Sequence, residues 1–299
     1  MKRHGYIIGG QVQGVGFRPF VYRAATRLRL TGHVGNTSDG VRVEVQGTDE
    51  ALAAFAHALE HELPPLARIT SPRREELPLA DGEAAFAIAH SEGHHGHAVL
   101  VSPDVATCGN CLADMRDPAN RRYRYPFTNC TDCGPRYTIT HSIPYDRATT
   151  SMSCFPLCPD CAAEYNDPLD RRFHAQPNAC PVCGPKVWLA SAPEGDPRIP
   201  GPGLAEGQRA IERTAAALRA GNIVAVKGLG GFHLVCDATS AEAIALLRER
   251  KCRPHKSPAI TVPDLETPRP IPRVSEAAAP LLDPPHRPLP VPPTRGAPP

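Results

Sequence analysis

A chain of 299 residues, 41% apolar and 21% charged, can bury cores for about two domains or three small ones. No run approaches the ~20 consecutive apolar residues of a spanning helix, and Met1-Lys2-Arg3-His4 leads into no signal-peptide core, so a membrane protein and a secreted one are both disfavoured. A formal net charge of +2 argues against polyanion binding by charge alone.

The first ninety residues predict a compact α+β unit. Residues 6–12 read as a strand and 13–18 as a glycine-containing loop. A helix is expected over 19–30, with Pro19 in its first turn and Phe20, Ala24 and Leu28 spaced by four. Alternation predicts strands over 31–36 and 41–46, joined by a turn at Ser38-Asp39-Gly40. A second helix over 49–63 carries Leu52, Phe55, Ala56 and Leu59 on one stripe, and strands near 67–73 and 85–89 close the unit. The order βαββαβ is ferredoxin-like.

Gly14 and Gly16 allow consecutive backbone N–H groups to point inward as an anion-binding nest at a helix start, and Arg18 adds a forked, charge-assisted grip. Taken singly, these residues also fit a tight turn, a solvated helix start at Arg18 and a left-handed turn residue at Asn36. Together, Gly10-Gln11-Val12-Gln13-Gly14-Val15-Gly16-Phe17-Arg18 and Gly32-His33-Val34-Gly35-Asn36-Thr37-Ser38-Asp39-Gly40-Val41 resemble the acylphosphatase family in order and spacing. The resemblance implies that Gln13, Gly14, Val15, Gly16, Phe17 and Arg18 hold an acyl phosphate, and that Arg18 and Asn36 are catalytic. Asn36 would orient the attacking water. Such a reaction needs little covalent help beyond positioning and charge neutralisation.

After a connector with His90, His94, His95 and His97, read as solvated rather than metal-binding, come four Cys-x-x-Cys pairs: Cys108/Cys111, Cys130/Cys133, Cys158/Cys161 and Cys180/Cys183. The two halves repeat at an offset of fifty, and the repeat extends past the cysteines. Arg121-Arg122-Tyr123 answers Arg171-Arg172-Phe173, and Cys133-Gly134-Pro135-Arg136 answers Cys183-Gly184-Pro185-Lys186. Four thiolates suit Zn²⁺ in a closed shell, so two structural Zn²⁺ sites are expected, with consecutive pairing or cross-bracing both open. Disulfides would want a secretory signal. The remaining Cys154, Cys236 and Cys252 read as ordinary thiols. Arg121-Arg122-Tyr123-Arg124-Tyr125 reads as a packing element of the repeat, with a nucleic-acid footprint as the alternative.

Beyond a glycine- and proline-rich break at 191–203, a helix is expected over 204–220, with Ile211, Ala215 and Leu218 on its apolar face and Gly221 as its stop. A strand over 223–226 enters Lys227-Gly228-Leu229-Gly230-Gly231-Phe232-His233-Leu234, read as a phosphate-holding strand, glycine loop and helix that matches neither a Walker nor a Rossmann pattern. A further helix over 240–250 precedes a basic stretch. Lys227, Arg250, Lys251, Arg253 and Lys256 are the candidate nucleotide-binding residues.

The succession of acylphosphatase-like unit, duplicated four-cysteine unit and Lys-Gly-Leu-Gly-Gly-Phe-His-Leu segment resembles the HypF family of hydrogenase-maturation carbamoyltransferases, over about residues 5–266. This implies an acylphosphatase-like domain at 1–92, a tandem zinc-finger region at 105–190 (108–133 and 158–183) and a partial α/β YrdC-like domain at 204–299. It further implies hydrolysis of carbamoyl phosphate or another acyl phosphate, and ATP/Mg²⁺ use if the third domain functions. In the complete family the carbamoyl group is transferred to HypE for the cyanide ligands of [NiFe]-hydrogenase. A cytoplasmic location and no membrane partner are expected. The alternative is a zinc-dependent, double-stranded-RNA-binding or scaffold module without catalysis.

The sequence departs from the family in having Lys256-Ser257-Pro258-Ala259 where Lys-Pro-Phe-Ala is usual. It also stops at Pro299, within the expected YrdC-like domain, without a transferase domain. Of its 35 prolines, 15 fall from Pro254 onward, and those at 268, 270, 272 and 280 oppose the helix that 273–277 would otherwise suggest.

Overall fold

A computed structural model describes residues 1–91, 101–192, 201–228, 230–253, 255 and 258–262. The histidines at 94, 95 and 97, Lys256 and residues 263–299 of the proline-rich end lie outside the described residues. The chain divides into two compact units, Met1–Pro185 and Lys186–Pro299.

The first unit opens with β1 (Lys2–Gln11), α1 (Phe17–Arg27), β2 (Thr31–Thr37), β3 (Gly40–Gly47), α2 (Asp49–His61), β4 (Arg68–Leu77) and β5 (Phe86–Ile88). The sheet runs β4-β1-β3-β2-β5, antiparallel except for the β2–β5 edge pair. This is the βαββαβ arrangement with one added edge strand. Alternation explains the pairing: Val34 faces Val43 across β2 and β3, and both are fully buried with Ile8, Val41 and Val45. Leu52, Phe55, Ala58 and Leu59 bury the core face of α2. Ala58 rather than Ala56 completes that stripe. Thr48 caps the helix by accepting from the Ala51 N–H at 3.3 Å.

α1 starts two residues earlier than the sequence predicts. Gly16 takes a left-handed conformation (φ 74°) and hands the chain into the helix at Phe17, a geometry that carries no Cβ penalty in glycine. Arg18 therefore falls in the first turn and is only 8% exposed, not a solvated helix start. Asn36 lies inside β2 opposite Val41, not in the turn.

In the finger region the two repeats place α3 (Gly109–Arg116) and α4 (Pro159–Asn166) directly after the first cysteine of each half. Both are short, and each buries one residue, the second cysteine of its pair, Cys111 or Cys161.

The second unit contains β6 (Trp188–Ala190) paired with β7 (Gly203–Glu206), α5 (Gly207–Arg219), the hairpin β8 (Val224–Lys227) and β9 (Phe232–Val235), and α6 (Ala241–Arg250). Three expectations are corrected here. Residues 204–206 are a strand, because Leu189 pairs with Ala205 and Trp188 with Glu206 before Gly207 (φ 57°) turns the chain into α5. Ala210 is the buried residue of that helix, while Ile211 is exposed. The glycine loop joins two antiparallel strands and does not open a helix. Lys227 pairs with Phe232, and the Gly228 N–H donates to the Gly231 carbonyl at 2.8 Å. α6 begins only after its Ser240 cap. Gly221 (φ 81°) ends α5 as expected.

Candidate phosphate site and zinc centres

The phosphate loop turns on Gly14 (φ 72°) and Gly16 (φ 74°) and runs straight into the first turn of α1. A helix leaves its first N–H groups without intrahelical partners. This one has neither a side-chain cap nor an acidic residue in its first turn. Gln13 fixes the loop to the neighbouring hairpin, its Nε2 donating to the carbonyls of Thr37 and Gly40 at 2.8 Å each. The loop, Arg18 and Asn36 are thereby brought together by β1, α1 and β2.

A segment of the finger region lies across them. The Tyr145 N–H donates to Gln13 Oε1 at 2.9 Å. The Tyr145 carbonyl accepts from Asn36 Nδ2 at 3.0 Å and from Arg18 Nη2 at 3.3 Å. Arg18 Nη2 also pairs with the Asp146 carboxylate at 2.8 Å. Asn36 Oδ1 is buried and has no hydrogen-bond partner among the described residues. The cleft over the loop is walled by Gly14, Gly16 and Arg18 on one side and by Thr131, Arg136 and His174 on the other. Burial and the neighbouring Arg18 charge, opposed by Asp146, bring the His174 imidazole down to about 4, so it is neutral at pH 7.

The eight paired cysteines gather as two groups, Cys108/Cys111/Cys130/Cys133 and Cys158/Cys161/Cys180/Cys183. Pairing is therefore consecutive. Four sulfurs around zinc at ~2.3 Å require edges of about 3.8 Å. The observed edges are 3.7 Å (Cys108–Cys130), 3.9 Å (Cys130–Cys133), 3.7 Å (Cys158–Cys180) and 3.8 Å (Cys180–Cys183). Both groups fit Zn²⁺ and leave no ligand position for water, the mark of a structural site. Hydrogen bonds from the Cys130 and Cys133 thiols, aided by Arg171 against the cost of burial, bring Cys111 down to about 4, so it is ready as a thiolate ligand.

The repeats cross-brace through arginine rather than through metal. Arg171 Nη1 donates to Cys111 Sγ at 2.9 Å, and Arg121 Nη2 donates to Cys161 Sγ at 3.2 Å. Arg172 pairs with Asp114, and Arg122 with Glu164, two carboxylates fifty residues apart. The Arg172 and Arg122 Nε groups donate to the Asn129 and Ala179 carbonyls, again fifty apart. Arg121 and Arg122 are thus engaged within the fingers, as the packing reading expects, and are not arrayed for a nucleic-acid backbone.

In the second unit, Lys227 ends β8 with its Nζ 5.0 Å from the Phe232 ring centroid. Arg250, Lys251 and Arg253 follow from the last residue of α6. Among the described residues, no hydrogen bond or ion pair joins Lys227 to these three.

Three family models match the chain: Acylphosphatase over residues 4–88, HypF finger over 107–140 and 157–190, and Telomere recombination, the Sua5/YciO/YrdC type, over 216–292. Carbamoyltransferase HypF2 of Cupriavidus necator is 52% identical over 261 residues, covering 87% of this chain and 31% of its own length. The crystal structure of full-length HypF in the phosphate- and nucleotide-bound form matches with a TM-score of 0.85 and 42% identity, over 95% of this chain and 36% of that one. The chain belongs to the HypF family. It spans about a third of the length of the HypF relatives it matches. Its first part is also 37% identical to the acylphosphatase of Bacillus licheniformis, over the whole of that enzyme.

Sequence reasoning missed Tyr145, Asp146, Arg136 and His174, all of which reach the phosphate loop from the finger region. A signal for two of them was present. Arg136 and His174 are positions where the fifty-residue repeat breaks, with Lys186 and Arg124 as their counterparts.

Proposed function

We propose that this chain hydrolyses an acyl phosphate, carbamoyl phosphate by family, at the Gly14–Gly16 loop. The observation that carries the reading is convergence. Arg18 Nη2 and Asn36 Nδ2 address one and the same oxygen, at 3.3 and 3.0 Å, beside an uncapped helix start. That oxygen is the Tyr145 carbonyl, and in the reaction a phosphoryl oxygen replaces it on the same two donors. Gln13, Gly14, Val15, Gly16 and Phe17 shape the nest whose N–H groups hold the other oxygens, and Arg18 neutralises the charge that develops on them. Asn36 Oδ1, buried with its acceptor capacity unused, accepts a hydrogen bond from the attacking water and so orients that water in line. The acyl group leaves as a carboxylate or carbamate, and no covalent enzyme intermediate is required.

The two Zn²⁺ sites are structural and hold the Tyr145-bearing region against this loop. Lys227, Arg250, Lys251, Arg253 and Lys256 are proposed to serve a nucleotide, ATP with Mg²⁺, in the second unit. Transfer of the carbamoyl group to HypE belongs to the complete HypF protein. Eight cysteines gathered as two zinc-ligand sets, not as disulfide pairs, support a reducing, cytoplasmic setting.

The test is phosphate release from carbamoyl phosphate by the purified chain and by Arg18→Ala and Asn36→Ala. Each variant should lose about 10²–10³-fold in rate, as for removal of one oxyanion donor. Rates equal to the parent in either variant would defeat the assignment of that residue.

A further inference from the structure

Arg136 follows Cys133 by three residues and is 1% exposed. Its five N–H donors all end on backbone carbonyls. Nη2 donates to Cys130 and Thr131, at 2.9 Å each, and Nη1 to Cys133 and Pro135, at 2.9 and 2.8 Å. These four bonds close the knuckle that presents two zinc ligands. The fifth leaves the finger: Nε donates to the Gly14 carbonyl, in the middle of the phosphate loop.

The approach is close. A Cβ on Gly14 would stand 3.0 Å from Arg136 Cδ and 3.2 Å from the Tyr145 ring. A trans peptide is planar, so its C=O and N–H point in opposite directions. Holding the Gly14 carbonyl on Arg136 therefore fixes the plane of the Gly14–Val15 peptide, and with it the direction of the Val15 N–H at the start of the loop's second half. Among the described residues no carboxylate pairs with Arg136, so its positive charge also stands against the loop in a buried setting, where charge acts strongly.

The second repeat supplies a comparison. Its counterpart, Lys186, is exposed. A lysine offers three donors on one atom and cannot fork between a knuckle and a second loop. The arginine is thus not needed to make a finger.

We infer that Arg136 is a positioning residue of the phosphate site: one guanidinium fixes the first zinc knuckle and the Val15 N–H of the phosphate nest together. This rests on the acyl phosphate reading above.

The experiment uses the full chain and its R136K variant, with inorganic phosphate as probe. Zinc content should stay at about two ions per chain. Phosphate affinity by calorimetry should fall about tenfold, the loss of one charge-assisted bond, and KM for carbamoyl phosphate should rise in step while kcat changes less. In the parent protein, phosphate titration should shift the Arg136 Nε–H and Val15 amide NMR signals together. That measurement decides the matter even where R136K fails to fold. Unchanged phosphate affinity in zinc-loaded R136K, or a Val15 shift without any Arg136 shift, overturns the inference. A parent chain that neither binds phosphate nor hydrolyses carbamoyl phosphate overturns the underlying reading instead.

Discussion

Replacing Asp146 by Asn tests who competes for Arg18. The carboxylate lies 2.8 Å from Arg18 Nη2, with the arginine side chain 9% and the aspartate 28% exposed. At an effective dielectric of ~20, unit charges at that separation attract by about 6 kcal/mol. Desolvation of both groups offsets most of this. A net ~1–2 kcal/mol remains for a phosphoryl group to overcome when it takes the guanidinium. Asn keeps the size of the side chain and can still cap the turn that Asp146 starts at Arg147. Asp146→Asn should therefore bind inorganic phosphate about 5–30-fold more tightly, with a parallel fall in KM for carbamoyl phosphate. Calorimetry with phosphate, beside steady-state turnover, reads both. Unchanged or weaker phosphate binding would refute the reasoning, since it would mean that Asp146 orients Arg18 for the anion and does not compete with it.

The arginine cross-brace predicts coupling between the fingers. Arg171→Gln removes the donor to Cys111 from the other repeat, and zinc should be lost to a chelator about 10–100-fold more readily from the first site than from the second. Equal loss from both sites would count against it. The fold should also weaken in acid. Burial alone would raise Glu164, but Arg122 and Arg121 bring it down to about 2 from 4.5, while His174 is lowered from 6.5 to about 4. Below those ordinary values the unfolded chain takes up protons that the folded chain refuses. Stability is therefore lost from pH 6.5 to 4 through His174 and from 4.5 to 2 through Glu164, by roughly 2 kcal/mol each after allowance for solvent. A melting temperature that falls below pH 6.5, and falls less in His174→Gln, is the expected result. A flat profile between pH 7 and 4.5 would contradict it.

The elements of the first unit were legible because each rests on a short-range period. Val34, Val41, Val43 and Val45 alternate, and Leu52, Phe55 and Leu59 recur at helical spacing, so the buried face follows from local order. The cysteines were legible for a similar reason, since Cys-x-x-Cys is itself a local chelate. Where local signals were balanced, the reading failed. Leu204-Ala205-Glu206 suits a helix start as well as a strand, and only pairing with Trp188-Leu189-Ala190 decides between them. The glycine segment at 228–231 suits a phosphate loop or a hairpin, and only the register of Val224 against Val235 shows the hairpin.

The amino-acid sequence alone determined the chemistry on offer: a glycine loop with Arg18, an asparagine at the end of the next strand, and eight thiols in two sets of four. Local spacing suffices for these, because the groups lie on one turn, one hairpin or one knuckle. Tertiary structure decided what those groups face. Tyr145 and Asp146 meet Arg18 across more than a hundred residues of chain, Arg136 reaches Gly14 from a zinc knuckle, and the two fingers exchange arginines instead of cysteines. No periodicity encodes such contacts. They form only because the buried N–H, carbonyl and charged groups of one element must find partners, and folding brings those partners from elsewhere.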